Sequence, residues 1–441
     1  MTRPTAMPKD SKPALTPKLR FPEFRKAPAW ETMRLIDLAD KNVKWSFAGG
    51  PFGSNLKASD YLPNGVRIIQ LQNIGDAEFL DDYQIFTSEE KADELLASNI
   101  YPGDILLSKM GDPVARACIV PRSSPRFVMC SDGIRLVVDE SRHDKYFVFL
   151  AINSDDFRRK ADNVATGSTR KRIGLDVLRE LSLFVPRLPE QQKIAECLST
   201  LDELIGAESQ KLDALKAHKK GLMQQLFPRE GETLPRLRFP EFRNAPEWEE
   251  TSLGEVARLR NGYAFRSAEY VESGEFQIIT IANVQQGRLE LSSTKRIEAL
   301  PPDIQSHQIL HPGDILISMT GNVGRVCVVD REGLLLNQRV GNLVPQGIDR
   351  CFFYQLLQRD DFRSTMQLKA AGGAQGNLSS GDISEYSFRQ PCEPAEQHRI
   401  ATCLSSLDDL IAAQSERISA LQTHKQGLLQ QLFPSPTSAE A

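Results

Sequence analysis

Between residues 190 and 228 the apolar positions fall at alternating spacings of four and three: Ile194, Leu198, Leu201, Ile205, Leu212, Leu215, Leu222 and Leu226. Glu208 and Lys219 occupy the two places where the pattern would otherwise lapse. An apolar repeat averaging 3.5 residues keeps one stripe of a helix facing a partner, which is the signature of a coiled-coil seam. The pattern returns at residues 396–434, offset by 206, with 24 of 39 positions identical and no gap. Prolines stand at the ends of both copies and punctuate them. At 1.5 Å per residue each helix should be about 55 Å long. A stripe of that length must lie on something, and the simplest cover is its own duplicate.

The polar seam residues bear on direction and register. In a level parallel pair Lys219 would face Lys425, burying like charges together. An antiparallel pair avoids this. Setting Leu212 opposite Leu421 and Leu215 opposite Ile418 brings Glu208 beside Lys425 and Lys219 beside Gln414. Ile205 then meets Leu428, and Leu222 meets Ile411. Sliding by a heptad would set Glu208 against Ile411, a charge in an apolar layer. The expectation is therefore an antiparallel coiled coil in that register.

Outside these helices the pattern changes to short apolar runs divided by turn residues. The runs beginning at Gly65, Tyr101, Ala117 and Ile134 read as strands, the second fed by a Pro-Gly turn. Lys145 to Asn153 reads as helical. Residues 250–395 repeat this order of events more loosely: PGDILISMTGN lies over PGDILLSKMGD, and RDDFRST over SDDFRRK. Scaffold positions match while the tips differ. A proline- and aromatic-rich segment also occurs twice, PKLRFPEFRKAPAWE at 17–31 and PRLRFPEFRNAPEWE at 235–249, and reads as a packing clip. The fold class is α+β: two tandem mixed α/β domains with two long helices, an internal repeat with pseudo-two-fold character. The expected boundaries are a disordered lead-in at 1–16, a first domain at 17–189 and the first long helix at 190–228. A linker and docking segment follow at 229–249, then a second domain at 250–395, the second long helix at 396–434 and a tail at 435–441.

Composition changes this picture little. A chain of 441 residues with 40% hydrophobic and 25% charged content is ordinary for a globular protein of two or three domains. A net charge of -4 argues against a general nucleic-acid coat but leaves room for a local basic cleft. Seven cysteines, an odd number with no C-x-x-C pair, read as free thiols of a cytoplasmic protein. No apolar run of 18 residues suggests a membrane span. Nucleotide, metal and methyltransferase signatures are missing: no P-loop, no G-x-G-x-x-G after a strand, no H-E-x-x-H, no N-P-P-[YF]. No catalytic residue, metal ligand or resident cofactor is expected. The chain reads as one that binds and positions.

Two loops could meet a polyanion. The first holds Arg158, Lys160, Gly167, Ser168, Thr169, Arg170, Lys171 and Arg172. Its counterpart has Gln375 and Asn377 in place of Arg170 and Arg172. Arginine suits a guanine edge, and glutamine or asparagine suits adenine. The alternative is a solvated charged loop. The second candidate contains Ser54, Asn55 and Lys57, with Arg266 and Ser267 in its counterpart, and could equally be a tight connection. Asn73 and Asn283 read as strand-end caps, and Asp104 and Asp314 as turn residues.

Two diverged domains alternating with near-identical helices, which end in Q-Q-L-F-P and of which the first starts L-P-E-Q-Q-K-I-A, resemble the specificity subunit of type I restriction-modification systems. The resemblance covers residues 17–434. It implies that the diverged domains are target-recognition domains, one for each half of a bipartite DNA target. It implies that the helices are spacer and docking elements, carrying Ile205, Glu208, Leu212, Leu215, Lys219 and Leu222 on one copy and Ile411, Gln414, Ile418, Leu421, Lys425 and Leu428 on the other. The implied partners are double-stranded DNA, two modification subunits that use S-adenosylmethionine, and restriction subunits that use ATP and Mg. The alternatives are a coiled-coil scaffold without nucleic acid and a fused nuclease-methyltransferase, which the missing motifs oppose.

Overall fold

The structure, a computed structural model, describes residues 16–167, 170–372 and 376–434. The lead-in up to residue 15 and the tail at 435–441 lie outside the described residues, as do Ser168, Thr169 and Gln375. The chain divides into two compact units. One comprises the chain up to Glu208 together with Arg417 onward; the other is Ser209–Glu416. The division passes through both long helices, so neither helix belongs to one unit alone.

Each unit holds two four-stranded sheets. In the first unit one sheet runs Phe47–Gly49, Gly133–Leu136, Ile105–Ser108, Ala117–Ile119, all antiparallel. The other runs Ile85–Thr87, Val66–Ile69, Phe127–Met129, Asn99–Ile100, with one parallel pair in the middle. The second unit repeats both orders, with Ala257–Asn261, Val340–Pro345, Ile315–Ser318, Val326–Val328 and with Lys295–Ile297, Phe276–Ile279, Leu334–Leu336, Ile309–Leu310. It adds a small hairpin, Val284–Gln285 with Arg288–Leu289. Central strands such as Ile105–Ser108 and Ile315–Ser318 are buried on both faces, which is why they read as unbroken apolar runs. Lys145–Ile152 is helical, capped by the Asp144 carboxylate, which accepts from the Phe147 N–H at 2.9 Å. No helix among the described residues is long and apolar enough to cross a membrane. All seven cysteines are free.

The long helices span Leu188–Leu226 and Pro394–Leu432. In the first unit Lys425 pairs with Asp202, and Arg417 pairs with Glu208 at 2.8 Å. Ascending one helix descends the other. In the second unit Lys219 Nζ donates to Asp408 at 2.6 Å, while Leu226 shares a core with Ile400 and Leu404. The helices are thus antiparallel, as expected, but the expected register fails. Lys425 lies at Asp202 and not at Glu208, about 9 Å further along the axis. All three ion pairs imply a slide of about one heptad from the expected alignment. The reason is that acids and bases on the flanks of the seam reach the polar seam residues diagonally. Glu208 and Lys219 are buried, the first paired with Arg417 and the second with Asp408. Asp202 also accepts from the Tyr146 hydroxyl, and Asp408 from Gln355 Nε2 at 2.7 Å, so each acid ties a helix to its unit's body.

The duplicated clip and the start of each helix form one device. Glu190, 2% exposed, accepts from Arg20 Nε and Nη2, both at 2.7 Å, and from Trp30 Nε1 at 3.2 Å. Arg20 also donates to the carbonyls of Ala27 and Pro28. Gln191 accepts from the Asp144 N–H at 2.9 Å and donates to the Pro186 carbonyl at 2.8 Å, fixing the next helix start. Glu396, Arg238, Trp248 and Gln397 repeat every part of this arrangement. Beside each socket an incoming helix end is clamped between rings. Phe433 stacks on Phe147 at 5.4 Å and meets Trp30 edge-on, and Phe227 does the same with Phe352 and Trp248. The Q-L-F ends and the E-Q starts recur because each unit needs one of each.

Candidate nucleic-acid interface

In the first unit the loops that follow strands Phe47–Gly49, Ile105–Ser108 and Phe127–Met129 converge with Thr166 and the stretch 170–173. Thr166 and Arg172 exchange backbone hydrogen bonds at 2.9 and 2.8 Å, which hold the two ends of this loop together. Gly167 sits in it at φ 101°, a conformation that side chains rarely adopt. The loop is sewn to the next one: the Gly111 N–H donates to the Lys171 carbonyl at 3.1 Å, and the Ile173 N–H to the Lys109 carbonyl at 2.9 Å. Lys109 Nζ donates to the Ser131 carbonyl at 3.0 Å, and Arg172 Nη2 to Asp132 Oδ1 at 3.0 Å. Burial lowers the Lys109 ammonium below its usual range; Asp132 opposes this and Arg172 adds to it.

Gly50 explains why the second candidate loop belongs to the same cluster. A Cβ on Gly50 would stand 1.7 Å from the Cys130 carbonyl oxygen, and one on Gly262 2.3 Å from that of Asn337. Both glycines press flat against the chain that leaves an equivalent strand. Gly50→Ala should therefore displace the loop and destabilise the unit by about 1–3 kcal/mol, as overpacking does. Thermal unfolding checks this, and an unchanged melting temperature would show that the backbones can part.

The expected site residues divide by what their side chains hold. Arg170 and Arg172 are exposed, the latter braced by Asp132. Lys171 gives its ammonium to both Asp162 oxygens at 2.5 and 2.6 Å, which raises its pKa. Ser54, Asn55 and Lys57 are exposed on the loop after Gly50, with Ser54 Oγ donating to Asn55 Oδ1 at 3.2 Å. Arg158 and Lys160, expected at the interface, are engaged within the unit instead. Arg158 is turned inward, its side chain 11% exposed, onto Asp76, Asn153 and the Val114 carbonyl, and burial lowers its pKa to about 10. Lys160 donates to the Ser182 carbonyl at 3.1 Å, pairs with Asp156 and lies over the Phe184 ring. Both sit on the helix Asp155–Val164, whose buried Phe157 and Ala161 set which faces turn inward. Asn73 and Asn283 are caps: Asn73 accepts from the Gln70 N–H and donates to the Leu80 and Tyr83 carbonyls, and Asn283 repeats this with Thr280 and Glu290. Asp104 and Asp314 close their Pro-Gly turns at 2.9 Å, and Asp104 also holds a buried Arg135.

The second unit builds the same cluster with different chemistry. Thr320 bridges Asn377 as Met110 bridges Arg172, so Asn377 and Arg172 occupy one position of the fold. The Leu378 N–H donates to the Met319 carbonyl at 2.8 Å, and the Met319 N–H to the Arg339 carbonyl at 3.1 Å. Arg339 thus stands where the first unit has Asp132. Asn377, Gln338 and Arg339 are exposed, as are Arg266 and Ser267. Lys109, Asp132, Gln338 and Arg339 were not singled out from sequence. Lys109 shows there only in that the tips after PGDILLS and PGDILIS differ, while Asp132, Gln338 and Arg339, just before the strands Gly133–Leu136 and Val340–Pro345, carry no signal of their own.

The model of the type I restriction modification DNA specificity domain matches residues 29–217 and 246–423, which together make up most of the chain. The chain is 24% identical over 319 residues to the type I restriction enzyme MjaVIII specificity subunit of Methanocaldococcus jannaschii, covering 69% of this chain and 73% of that protein. It is 22% identical over 381 residues to the putative MjaX specificity subunit of the same organism, covering 84% and 86%. Among solved structures, the S subunit of a type I restriction-modification system from M. genitalium superposes with a TM-score of 0.60 at 18% identity, covering 96% of this chain and all of that one. A chain from a structure of type I complex assembly and conformational transition gives 0.52 at 16% identity, covering 92% and 98%. The fold, the duplicated loop clusters and the two matched segments agree, and the chain belongs to the family of type I restriction-modification specificity subunits.

Proposed function

We propose that each unit reads one half of a bipartite DNA target through its loop cluster, and that the chain positions two modification subunits and the restriction subunits on that target. The chain is the specificity subunit of a type I restriction-modification enzyme, the component that recognises DNA and leaves the chemistry to others. The observation that carries the reading is the equivalence of Arg172 and Asn377. One position of one fold presents a guanidinium in one unit and an amide in the other. A guanidinium matches the two acceptors of a guanine edge, and an amide matches the donor and acceptor of adenine. Arg339 at the position that Asp132 holds in the first unit adds a second such difference. S-adenosylmethionine, ATP and Mg would be held by the partner subunits, and the complex would work in the cytoplasm, where its DNA lies.

The test exchanges residues 249–390 for the second domain of another family member, a cut that leaves both long helices whole. Methylated adenines are then mapped genome-wide in cells carrying the system. One half of the methylated target should change and the other should stay. Change or loss of both halves would reject independent reading.

A further inference from the structure

The loop after Gly50 carries a ring that the fold does not use. Phe52 is 82% exposed, the most exposed of the large hydrophobic side chains among the described residues. It does not sit on a slack segment. The Asn55 N–H donates to the Phe52 carbonyl at 2.8 Å, and the buried Pro51 and Leu56 anchor both feet of the loop. A side chain on Gly53 would meet nothing within 4 Å, so the tip stands in open space. An aromatic ring held in water forgoes the stabilisation that its burial would bring.

The second unit lacks this tip. Gly50 and Gly262 are equivalent by their close approach to the Cys130 and Asn337 carbonyls. The next buried residues are Leu56, packed with Ile68, and Phe265, packed with Ile278. Five residues separate the two landmarks in the first unit and two in the second. Phe265 is therefore the counterpart of Leu56, and Phe52 has none. Cations lie near the base of the extra loop, where Lys109 Nζ donates to the Ser131 carbonyl. That base lies on Cys130 and Ser131, next to the Asp132 that braces Arg172, and the exposed Lys57 follows the loop.

We propose that Phe52 is a specificity-determining contact of the first half-site, its ring resting on a thymine methyl. The inference rests on the DNA-reading role proposed above. Flanking cations would bring a polyanion to this face. The apolar group that base edges offer in the major groove is the C5-methyl of thymine, and phenylalanine is a side chain that meets it. The second half-site would be read without such a contact.

The test uses the chain assembled with its modification subunits and a duplex carrying the methylated target found by genome-wide mapping. The first half-site is the half that survives exchange of the second domain. Phe52→Ala should keep the melting temperature, because the ring is largely exposed and joins no core cluster among the described residues, and should weaken binding by about tenfold. In the wild type, one thymine of the first half-site should show the same loss when replaced by deoxyuridine. That replacement should have no further effect on F52A. Wild-type affinity of F52A would overturn the inference, as would a half-site in which no thymine is sensitive to loss of its methyl. Arg170→Ala and Arg172→Ala separate the two readings. If they weaken binding while F52A does not, only the role of Phe52 falls. If they too leave binding unchanged, DNA reading by this loop cluster falls with it.

Discussion

Glu396→Ala should destabilise the second unit by about 3–5 kcal/mol, as breaking a buried ion pair from one side does. The carboxylate is 1% exposed and accepts from Arg238 at 2.8 and 2.7 Å and from Trp248 Nε1 at 3.3 Å. Its removal strands a guanidinium with no anion and an indole N–H with no acceptor. Arg238 cannot simply swing into water, because it also donates to the carbonyls of Ala245 and Pro246 at 2.8 Å. Glu396→Gln keeps an oxygen for Trp248 and should recover part of the loss. Glu190→Ala should act the same way on the first unit, through Arg20 and Trp30. Urea denaturation measures both. A loss below about 1 kcal/mol would mean that water replaces the carboxylate and that the clip is only a surface strap.

The second large effect is on DNA binding, and it should split three adjacent cations. Arg170→Ala and Arg172→Ala should each weaken binding and lower the salt slope by up to about 0.9, one counterion release per lost phosphate contact. If either arginine reads a base, discrimination at that base should fall by roughly 1–3 kcal/mol. Lys171→Ala should do much less, because its ammonium is already held by both oxygens of Asp162. Binding isotherms taken across a salt series give both quantities. Equal effects of all three would show that Asp162 releases Lys171 to DNA. No effect of any would make the loop a solvated surface.

Periodicity made the long helices, their antiparallel direction and the duplicated order of strands legible, because each depends on which positions are apolar. Register was not legible for a physical reason. A heptad seam fits itself again after every seven residues, so its apolar layers cannot tell one slide from the next. The choice falls to polar residues, whose partners need not stand directly opposite. Asp202, Asp408 and Arg417 flank the seam and reach across it, which removes the penalty that the expected register was meant to avoid. The basic loop was half legible for a similar reason. A count of charges along 158–172 does not show which of them a helix turns inward. Arg158 lies within one turn of the buried Phe157 and Ala161, and folding uses it as a tether. Phe52 was visible in the sequence but not its exposure, since Pro-Phe-Gly before a buried leucine reads equally well as a packed turn.

Each unit also makes one junction in which a helix end meets the clip. In the second unit the Leu237 N–H donates to the Gln225 carbonyl at 2.9 Å, and eleven residues of continuous chain lie between them. In the first unit the Leu19 N–H donates to the Gln431 carbonyl at the same 2.9 Å, with no such chain joining them. Peptide bonds thus reinforce one junction, and the other is made by non-covalent contact. A short linker from Pro434 to Pro17, with the backbone opened near Gly231, would exchange their roles and leave each socket its Glu, its Arg and its ring. The order in which the two readers are translated is then a matter of where the backbone is cut, and a gene encoding them in the opposite order would specify the same recognition.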